Sequence, residues 1–266
     1  MKIDDSVSEL GEGLALAEDK IFWVDILNHC LYYKENHQTP SKNIPTSKYP
    51  SVIFDINGNY LLYGHSTGVS ELDIQTFESR EIYTVKQLLD PEMRMNDGVK
   101  LSDGRLLFGT MNLEPVADSG RIFLYDGEVI DTKVQIGIPN TFIQINSTTV
   151  LISDSLTANI YSFDLMTFKM SLWKDLSAES YVPDGGCISN NNHIFIAMWD
   201  GSMIQEYSID GQLLNEYQLP VSRPTNCKYH SSSESIVITS ANDNASNDSL
   251  VRPGNLLKLK VLNETC

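Results

Sequence analysis

The sequence lacks the features that mark a membrane protein or a nucleic-acid-binding protein. No stretch approaches the roughly 18 consecutive apolar residues of a membrane helix, and the first residues, MKIDDSVSELGEG, contain no apolar run typical of a secretory signal. Positive charge is scarce, because 19 Lys and Arg residues are outnumbered by 35 Asp and Glu residues, for a net charge of −16. Such a chain repels polyphosphate. We therefore expect a cytoplasmic protein that binds neither a membrane nor nucleic acid.

Cysteine is also scarce and scattered. The four residues Cys30, Cys187, Cys227 and Cys266 form no C-x-x-C pair, which argues against a structural zinc site and against a thioredoxin-like motif. We expect reduced thiols. Neither the cysteines nor the charge pattern indicates an oligomeric state.

Six short apolar segments recur along the chain at nearly constant spacing. Their first residues lie 40, 45, 44, 44 and 42 residues apart and are Ile21, Leu61, Leu106, Val150, Ile194 and Ile236. Turn-forming residues such as Asn57-Gly58-Asn59 precede them, and alternating segments such as Val69–Leu72 follow most of them. Four strands in about 44 residues, repeated along the chain, are typical of propeller blades. An irregular β-sandwich with evenly spaced turns is the competing interpretation.

The last repeat is too short to supply four strands. Only residues 236–266 remain after the sixth apolar segment begins, which is enough for two or three strands. We predict an all-β, six-bladed β-propeller of four-stranded blades, formed as a single domain by residues 1–266. The N-terminal segment, residues 2–8, would add the missing outer strand. That pairing would close the ring and remove an exposed sheet edge.

One position in each repeat is polar although the residues after it are largely apolar or turn-forming. It lies ten residues before the apolar segment, or nine in the first repeat, and comprises Glu12, Ser51, Asn96, Asn140, Asp184 and Asn226, here called the axial set. If the first strand of each blade lines a central channel, these side chains converge at one height. Convergent polar groups in a pocket mark a candidate binding site. The competing interpretation is that polar residues simply end each strand at a solvated channel mouth.

Three members of the axial set are hard oxygen donors, namely Glu12, Asn140 and Asp184. Such donors suit Ca²⁺, Mg²⁺ or Mn²⁺ and, less ideally, Zn²⁺. Two carboxylates at a closed axis repel one another, and one would become protonated unless a cation lies between them. We therefore expect one divalent metal ion, and the residues do not select among these four metals.

Six short motifs occur in a fixed order along essentially the whole chain. They are Leu10-Gly11-Glu12-Gly13, Trp23-Val24-Asp25-Ile26, Arg94-Met95-Asn96-Asp97-Gly98, Gly109-Thr110-Met111, Ile152-Ser153-Asp154-Ser155 and Pro183-Asp184-Gly185-Gly186-Cys187. In order and spacing they resemble the motifs of the regucalcin (senescence marker protein), gluconolactonase and luciferin-regenerating enzyme family. No single motif is specific, but six in this order form a strong signal.

The resemblance implies roles for residues that match the family's site. It implies metal ligands at Glu12, Asn140 and Asp184, and it implies that Asp184 is also the catalytic base. Relatives carry a glycine after the matching asparagine, whereas this chain has Thr141. Loss of that glycine is expected to affect how the strand enters the channel.

The resemblance also implies an activity, which is metal-dependent hydrolysis of a small sugar lactone, as in a gluconolactonase. A divalent cation would activate the attacking water. The implied substrate contacts are Arg94, Asn96 and Glu114, of which Arg94 supplies a fixed fork of donors and Glu114 an acceptor for sugar hydroxyls.

Two other functions compete with the lactonase. Gly64-His65-Ser66-Thr67-Gly68 matches the G-x-S-x-G pattern of serine hydrolases, but that motif requires a helix after the serine, and residues 69–74 alternate as a strand does. The second alternative is a non-enzymatic propeller that binds a divalent metal or another ligand, such as a calcium-binding regulatory protein. Metal-dependent acidification of an aldonolactone solution would distinguish the enzyme from a binding protein.

Overall fold

Six antiparallel sheets follow one another along the chain, and each uses consecutive strands. The computed structural model describes residues 1–243 and 251–261. The first three sheets consist of β1 (Gly11–Ala17), β2 (Lys20–Asp25), β3 (Cys30–Lys34) and β4 (Lys42–Pro45); β5 (Pro50–Asn57), β6 (Tyr60–His65), β7 (Gly68–Asp73) and β8 (Ser79–Thr84); and β9 (Met93–Lys100), β10 (Leu106–Asn112), β11 (Gly120–Tyr125) and β12 (Val129–Ile136).

The second half of the chain repeats this arrangement. Its sheets consist of β13 (Pro139–Gln144), β14 (Thr149–Asp154), β15 (Asn159–Asp164) and β16 (Met170–Asp175); β17 (Val182–Ile188), β18 (Ile194–Trp199), β19 (Met203–Tyr207) and β20 (Leu213–Gln218); and β21 (Pro224–His230), β22 (Ser235–Ser240) and β23 (Leu257–Lys260). Within the described part of the chain, the helical segments are two short 3₁₀ turns, Lys86–Leu88 and Ser231–Ser233. No helix there is long and apolar enough to cross a membrane.

The first strands of the six sheets pack against one another in a closed cycle, in the order β1, β5, β9, β13, β17, β21 and back to β1. The second strands carry the six apolar segments and are almost entirely buried. The fourth strands are largely exposed, as in β8 and β20. A continuously apolar strand must be covered on both faces. The second strands therefore lie between neighbouring blades. The propeller is confirmed, and the β-sandwich interpretation is wrong.

The N-terminal segment closes the ring, as predicted. Lys2 forms an antiparallel bridge with Leu257 on β23, and the amide of Ile3 donates to the carbonyl of Leu256 at 3.0 Å. Asp4 anchors the segment to the first blade through a buried ion pair with Lys34 at 2.6 Å. The N-terminal segment therefore covers the edge of the three-stranded last sheet.

Each first strand is irregular beside its axial residue. The pairing with the second strand shifts register at this point in all six blades, next to or across Glu12, Ser51, Asn96, Asn140, Asp184 and Asn226. A bulge bends a strand and re-aims its side chains. The bulges therefore set which way the axial side chains point.

The cysteines agree with the expectation of reduced thiols where the structure describes them. Cys30, Cys187 and Cys227 are free and buried. Cys266 lies outside the described residues.

Candidate active site

A cavity of about 380 Å³ opens where the first strands begin and the second strands end. We call it the first cavity. Its polar lining consists of Glu12, Arg94, Asn96, Asn140, Ser155 and Asp184. The fold thus brings together all three predicted metal ligands and two of the three predicted substrate contacts.

The remaining predicted positions lie elsewhere. Glu114 is exposed on the loop after β10, where its amide donates to Asn112 Oδ1 at 2.9 Å, and it is not part of the first cavity's lining. Ser51 and Asn226 are buried, and within the described residues Ser51 Oγ and Asn226 Oδ1 have no hydrogen-bond partner. Equal register along the channel therefore does not place all six axial side chains in one cavity.

A chain of hydrogen bonds orders the polar lining. Asn96 Nδ2 donates to Asn140 Oδ1 at 2.8 Å and to the carbonyl of Pro139 at 3.0 Å. Asn140 Nδ2 donates to Ser155 Oγ at 2.9 Å, and the Ser155 hydroxyl donates to the carbonyl of Pro183 at 2.6 Å. These bonds tie the third, fourth and fifth blades together around the cavity.

Ser155 is a site residue that the sequence analysis did not assign. It follows β14 directly and completes the motif Ile152-Ser153-Asp154-Ser155, which was noted only as part of the family resemblance. The signal that could have identified it is a polar residue just beyond the end of a buried second strand, where the loops approach the channel.

Burial dominates the electrostatics of the first cavity. Burial and the negative charge of Asp97 raise the pKa of Glu12 to about 8. Burial and repulsion from Glu12 and Asp97 raise the pKa of Asp184 well above its ordinary value. Burial also lowers the pKa of Arg94 to about 10, although the charge of Glu12 acts in the opposite direction. Strongly shifted carboxyl groups in a cavity are typical of functional sites.

A second cavity, of about 290 Å³, lies further along the channel. Residues that follow the axial positions line it, including Asp97, Thr141 and Lys228, together with Asn226. Burial raises the pKa of Asp97 to about 6, and the positive charge of Lys228 opposes that rise. Sequence reasoning missed Asp97 because strict alternation would turn it away from the channel, whereas the bulge in β9 spans both Asn96 and Asp97.

Thr141, at the position where the family resemblance leads one to expect glycine, has a left-handed backbone. Its φ is +78°, and Gly13, the equivalent residue in the first blade, has φ +53°. A β-branched residue is strained in this region. The Thr141 hydroxyl contacts the carbonyl of Asp184 at 2.6 Å and Ser153 Oγ at 2.8 Å. Thr141 thus adopts a conformation that suits glycine, and its side chain adds a contact that holds the backbone of Asp184.

The donors in the first cavity suit a hard divalent cation by their chemistry. Within residues 1–243 and 251–261, no three His, Cys, Asp or Glu side chains cluster as a metal centre. The predicted set differs from such a cluster because it contains two carboxylates and one amide, Glu12, Asp184 and Asn140. Both carboxyl groups are buried with raised pKa values, and a cation between them would relieve the desolvation and repulsion that raise those values.

The G-x-S-x-G match is a turn between two strands. Ser66 and Thr67 connect β6 to β7, so the helix that a serine-hydrolase motif requires is missing from this described segment. His65 Nε2 contacts Ser70 Oγ at 3.1 Å, and His65 Nδ1 accepts from the amide of Thr67 at 3.3 Å. The imidazole is thus engaged away from Ser66, and the prediction that this motif forms a turn between two strands is confirmed.

Comparison with known proteins agrees with the resemblance in the sequence. The profile of the family described as SMP-30/Gluconolactonase/LRE-like region matches residues 10–242. Pentonolactonase XacC of Haloferax volcanii is 27% identical, over 86% of this chain and 80% of that protein.

Two solved structures have the same fold. Regucalcin of Agrobacterium tumefaciens, described as a calcium-binding protein, superposes with a TM-score of 0.88 at 21% identity, over 97% of this chain and 92% of the other. A luciferin-regenerating enzyme superposes with a TM-score of 0.85 at 19% identity, over 98% and 94%. At such identities these likenesses show the fold alone.

Proposed function

The chain belongs to the SMP-30/gluconolactonase/LRE-like family, and we propose that it hydrolyses a small sugar lactone in the first cavity. One observation carries the proposal. Five of the six site residues expected from the family line a single cavity, in which two carboxyl groups with raised pKa values lie beside the half-buried Arg94. The pentonolactonase relative supports a lactone as the substrate class.

We propose that Glu12, Asn140 and Asp184 hold one divalent cation, with Ca²⁺, Zn²⁺, Mn²⁺ and Mg²⁺ as candidates. A protein of the same fold is described as calcium-binding, which supports a divalent cation as the ligand. When bound, such a cation supplies polarisation of the lactone carbonyl and lowers the pKa of a water molecule. The amide of Asn140 would contribute Oδ1, the atom that accepts a hydrogen bond from Asn96.

The other roles belong to side chains of the chain itself. Asp184, as a carboxylate, accepts the proton of the attacking water. Arg94 presents a cationic fork to the lactone oxygen on which negative charge develops. Asn96 Oδ1 accepts from a substrate hydroxyl, since both hydrogens of its amide nitrogen are donated within the protein. Glu114, on the exposed loop after β10, stays the proposed acceptor for a hydroxyl at the cavity mouth.

The test is acid release from an aldonolactone in weakly buffered solution. We expect a chelator to abolish turnover, because the site would lose the cation that offsets its two carboxylates, and we expect Mn²⁺, Ca²⁺ or Zn²⁺ to restore it to different extents. Ser66→Ala, in the turn after β6, is the matched control and should retain wild-type turnover.

Two results would contradict the proposal. Full turnover after exhaustive dialysis against a chelator would contradict the metal-dependent mechanism. Metal binding by calorimetry without hydrolysis of any lactone would instead identify a binding protein.

A further inference from the structure

The first cavity has a polar floor and an apolar collar above it. Leu10, Ile138 and Val182 line the cavity, and each lies two residues before the axial residue of its strand. Side chains two apart along a strand point to the same face, so these three form a layer one step nearer the mouth. In the third blade the corresponding residue is Arg94, the single cation of the lining.

The ends of the second strands and the loops after them extend the collar. The remaining lining residues are Ile26, Met111, Leu156 and Trp199. Ile26 and Met111 are buried, whereas Leu156 is 40% exposed at the rim. Above the polar floor the lining is thus apolar in the first, fourth and fifth blades, and in the third blade it combines Met111 with Arg94.

The polar floor has few donors left for a ligand. Both hydrogens of Asn96 Nδ2 are donated to the carbonyl of Pro139 and to Asn140 Oδ1. The Ser155 hydroxyl is donated to the carbonyl of Pro183. A ring hydroxyl that enters the collar exchanges its hydrogen bonds with water for contact with hydrocarbon, which weakens binding. An alkyl group at the same place removes apolar surface from water, which strengthens binding.

We propose that the first cavity selects, among lactones, those with an apolar edge, that is deoxy or alkyl-substituted lactones, over those hydroxylated at every ring carbon. The inference rests on the proposed lactonase function and shifts its substrate class from fully hydroxylated sugar lactones toward lactones with fewer hydroxyls, for which Asn96 and Glu114 contact only the hydroxyls that remain. The carbonyl end of the lactone meets the floor at Asp184, with Arg94 beside it in the layer above, and the apolar edge meets the apolar side of the collar.

The test compares three lactones of one ring size: ribono-1,4-lactone, its 2-deoxy analogue and γ-hexalactone. Each enzymatic rate is divided by the rate of hydrolysis by hydroxide, so that intrinsic reactivity does not enter the comparison. We expect normalised kcat/KM to rise along this series, by on the order of tenfold or more from the first lactone to the last. Small apolar groups change kcat/KM by similar factors in other pockets.

Leu156→Ser isolates the contribution of the collar. Leu156 lies on the rim, and its backbone amide donates to Asp154 Oδ1 at 3.0 Å, so the variant keeps the bond that fixes the loop. We expect it to raise KM for γ-hexalactone severalfold, and by a larger factor than it raises KM for ribono-1,4-lactone. Leu172→Ser, which alters a 59% exposed leucine on the outer strand β16, is the matched control and should change neither substrate.

The outcomes separate this inference from the function on which it rests. The selection would be overturned if ribono-1,4-lactone were turned over faster than γ-hexalactone and Leu156→Ser changed the rates with both substrates equally or with neither. The proposed lactonase function would then still stand. Hydrolysis of none of the three lactones, in the presence of each candidate metal, would remove the lactonase and the selection together.

Discussion

The two cavities along the channel both contain buried carboxyl groups, but they differ in how the negative charge is opposed. The first cavity contains two carboxyl groups, Glu12 and Asp184, and one cationic side chain, Arg94, and the pKa of Glu12 rises to about 8. In the second cavity Asp97 is opposed by Lys228, and its pKa rises only to about 6. An excess of buried negative charge requires a further cation, whereas a balanced pair does not. The difference favours the first cavity as the place of the proposed metal ion.

Asp184→Asn should have the largest effect on turnover. The substitution keeps the size of the side chain and one carbonyl oxygen but removes a negative charge and the proton acceptor. We expect turnover to fall by on the order of a hundred- to ten-thousand-fold, measured as acid release at several metal concentrations. Saturating metal should not restore the rate.

Two results with Asp184→Asn would revise the comparison. If saturating metal restores turnover, Asp184 is a ligand only, and Glu12 or Glu114 becomes the candidate base. Wild-type turnover without added metal would mean that the axial set does not form the active site.

Asn140→Ala should act mainly through metal occupancy. The variant removes one neutral ligand and leaves both carboxylates, so we expect low turnover at limiting metal and recovery of much of the rate at excess metal. A metal titration of activity, with wild type alongside, measures the shift. A rate that stays low at every metal concentration would show that Asn140 positions Asn96 and Ser155 rather than a metal ion.

The metal-free protein should lose stability as the pH rises from 6.5 to 8.5. Glu12 and Asp184 have raised pKa values in the folded chain, so folding retains protons that the unfolded chain releases. The destabilisation begins above their ordinary pKa values and is complete above about pH 8 for Glu12. We expect about 1 kcal/mol for each pH unit within that range, measured by urea unfolding.

A divalent cation should reduce this loss of stability at alkaline pH, because it balances the negative charge of the first cavity. Glu12→Gln should reduce the same loss without metal. The comparison starts at pH 6.5 because burial lowers the pKa of His65 to about 4, and its protonation opposes folding only at lower pH. A free energy of unfolding that did not change between pH 6.5 and 8.5 would contradict the excess of negative charge in the first cavity.

Asp97→Asn should have the smallest effect, a shift of the pH profile. Asp97 raises the pKa of both Glu12 and Asp184, so its neutralisation lowers both values and keeps those groups ionised in more acidic solution. We expect the acidic limb of kcat/KM to move to lower pH by less than about one unit, the usual spread of pKa values in folded proteins. Asp97→Glu keeps the negative charge and should not shift the acidic limb. A shift to higher pH would exclude this coupling.

Much of this architecture was predictable because it depends on local pattern. The near-constant spacing of the apolar segments predicted six blades, since a strand of that composition must be buried on both faces. The short last repeat predicted closure by the N-terminus, because an uncovered edge strand invites association. Equal spacing before each apolar segment also identified Glu12, Asn140 and Asp184 as residues near one axis.

Only the tertiary structure decided how the axial residues are distributed between the cavities. The bulges in the first strands break the alternation on which sequence reasoning relies, so Asn226 and Asp97 line the second cavity while Asn96 lines the first. Ser155 and the collar come from strand ends and adjoining loops, whose approach to the channel depends on the curvature of the whole ring. Composition and periodicity along the chain thus determined the blades and their order, whereas burial and charge balance act through space between blades, and those distances exist only in the folded ring.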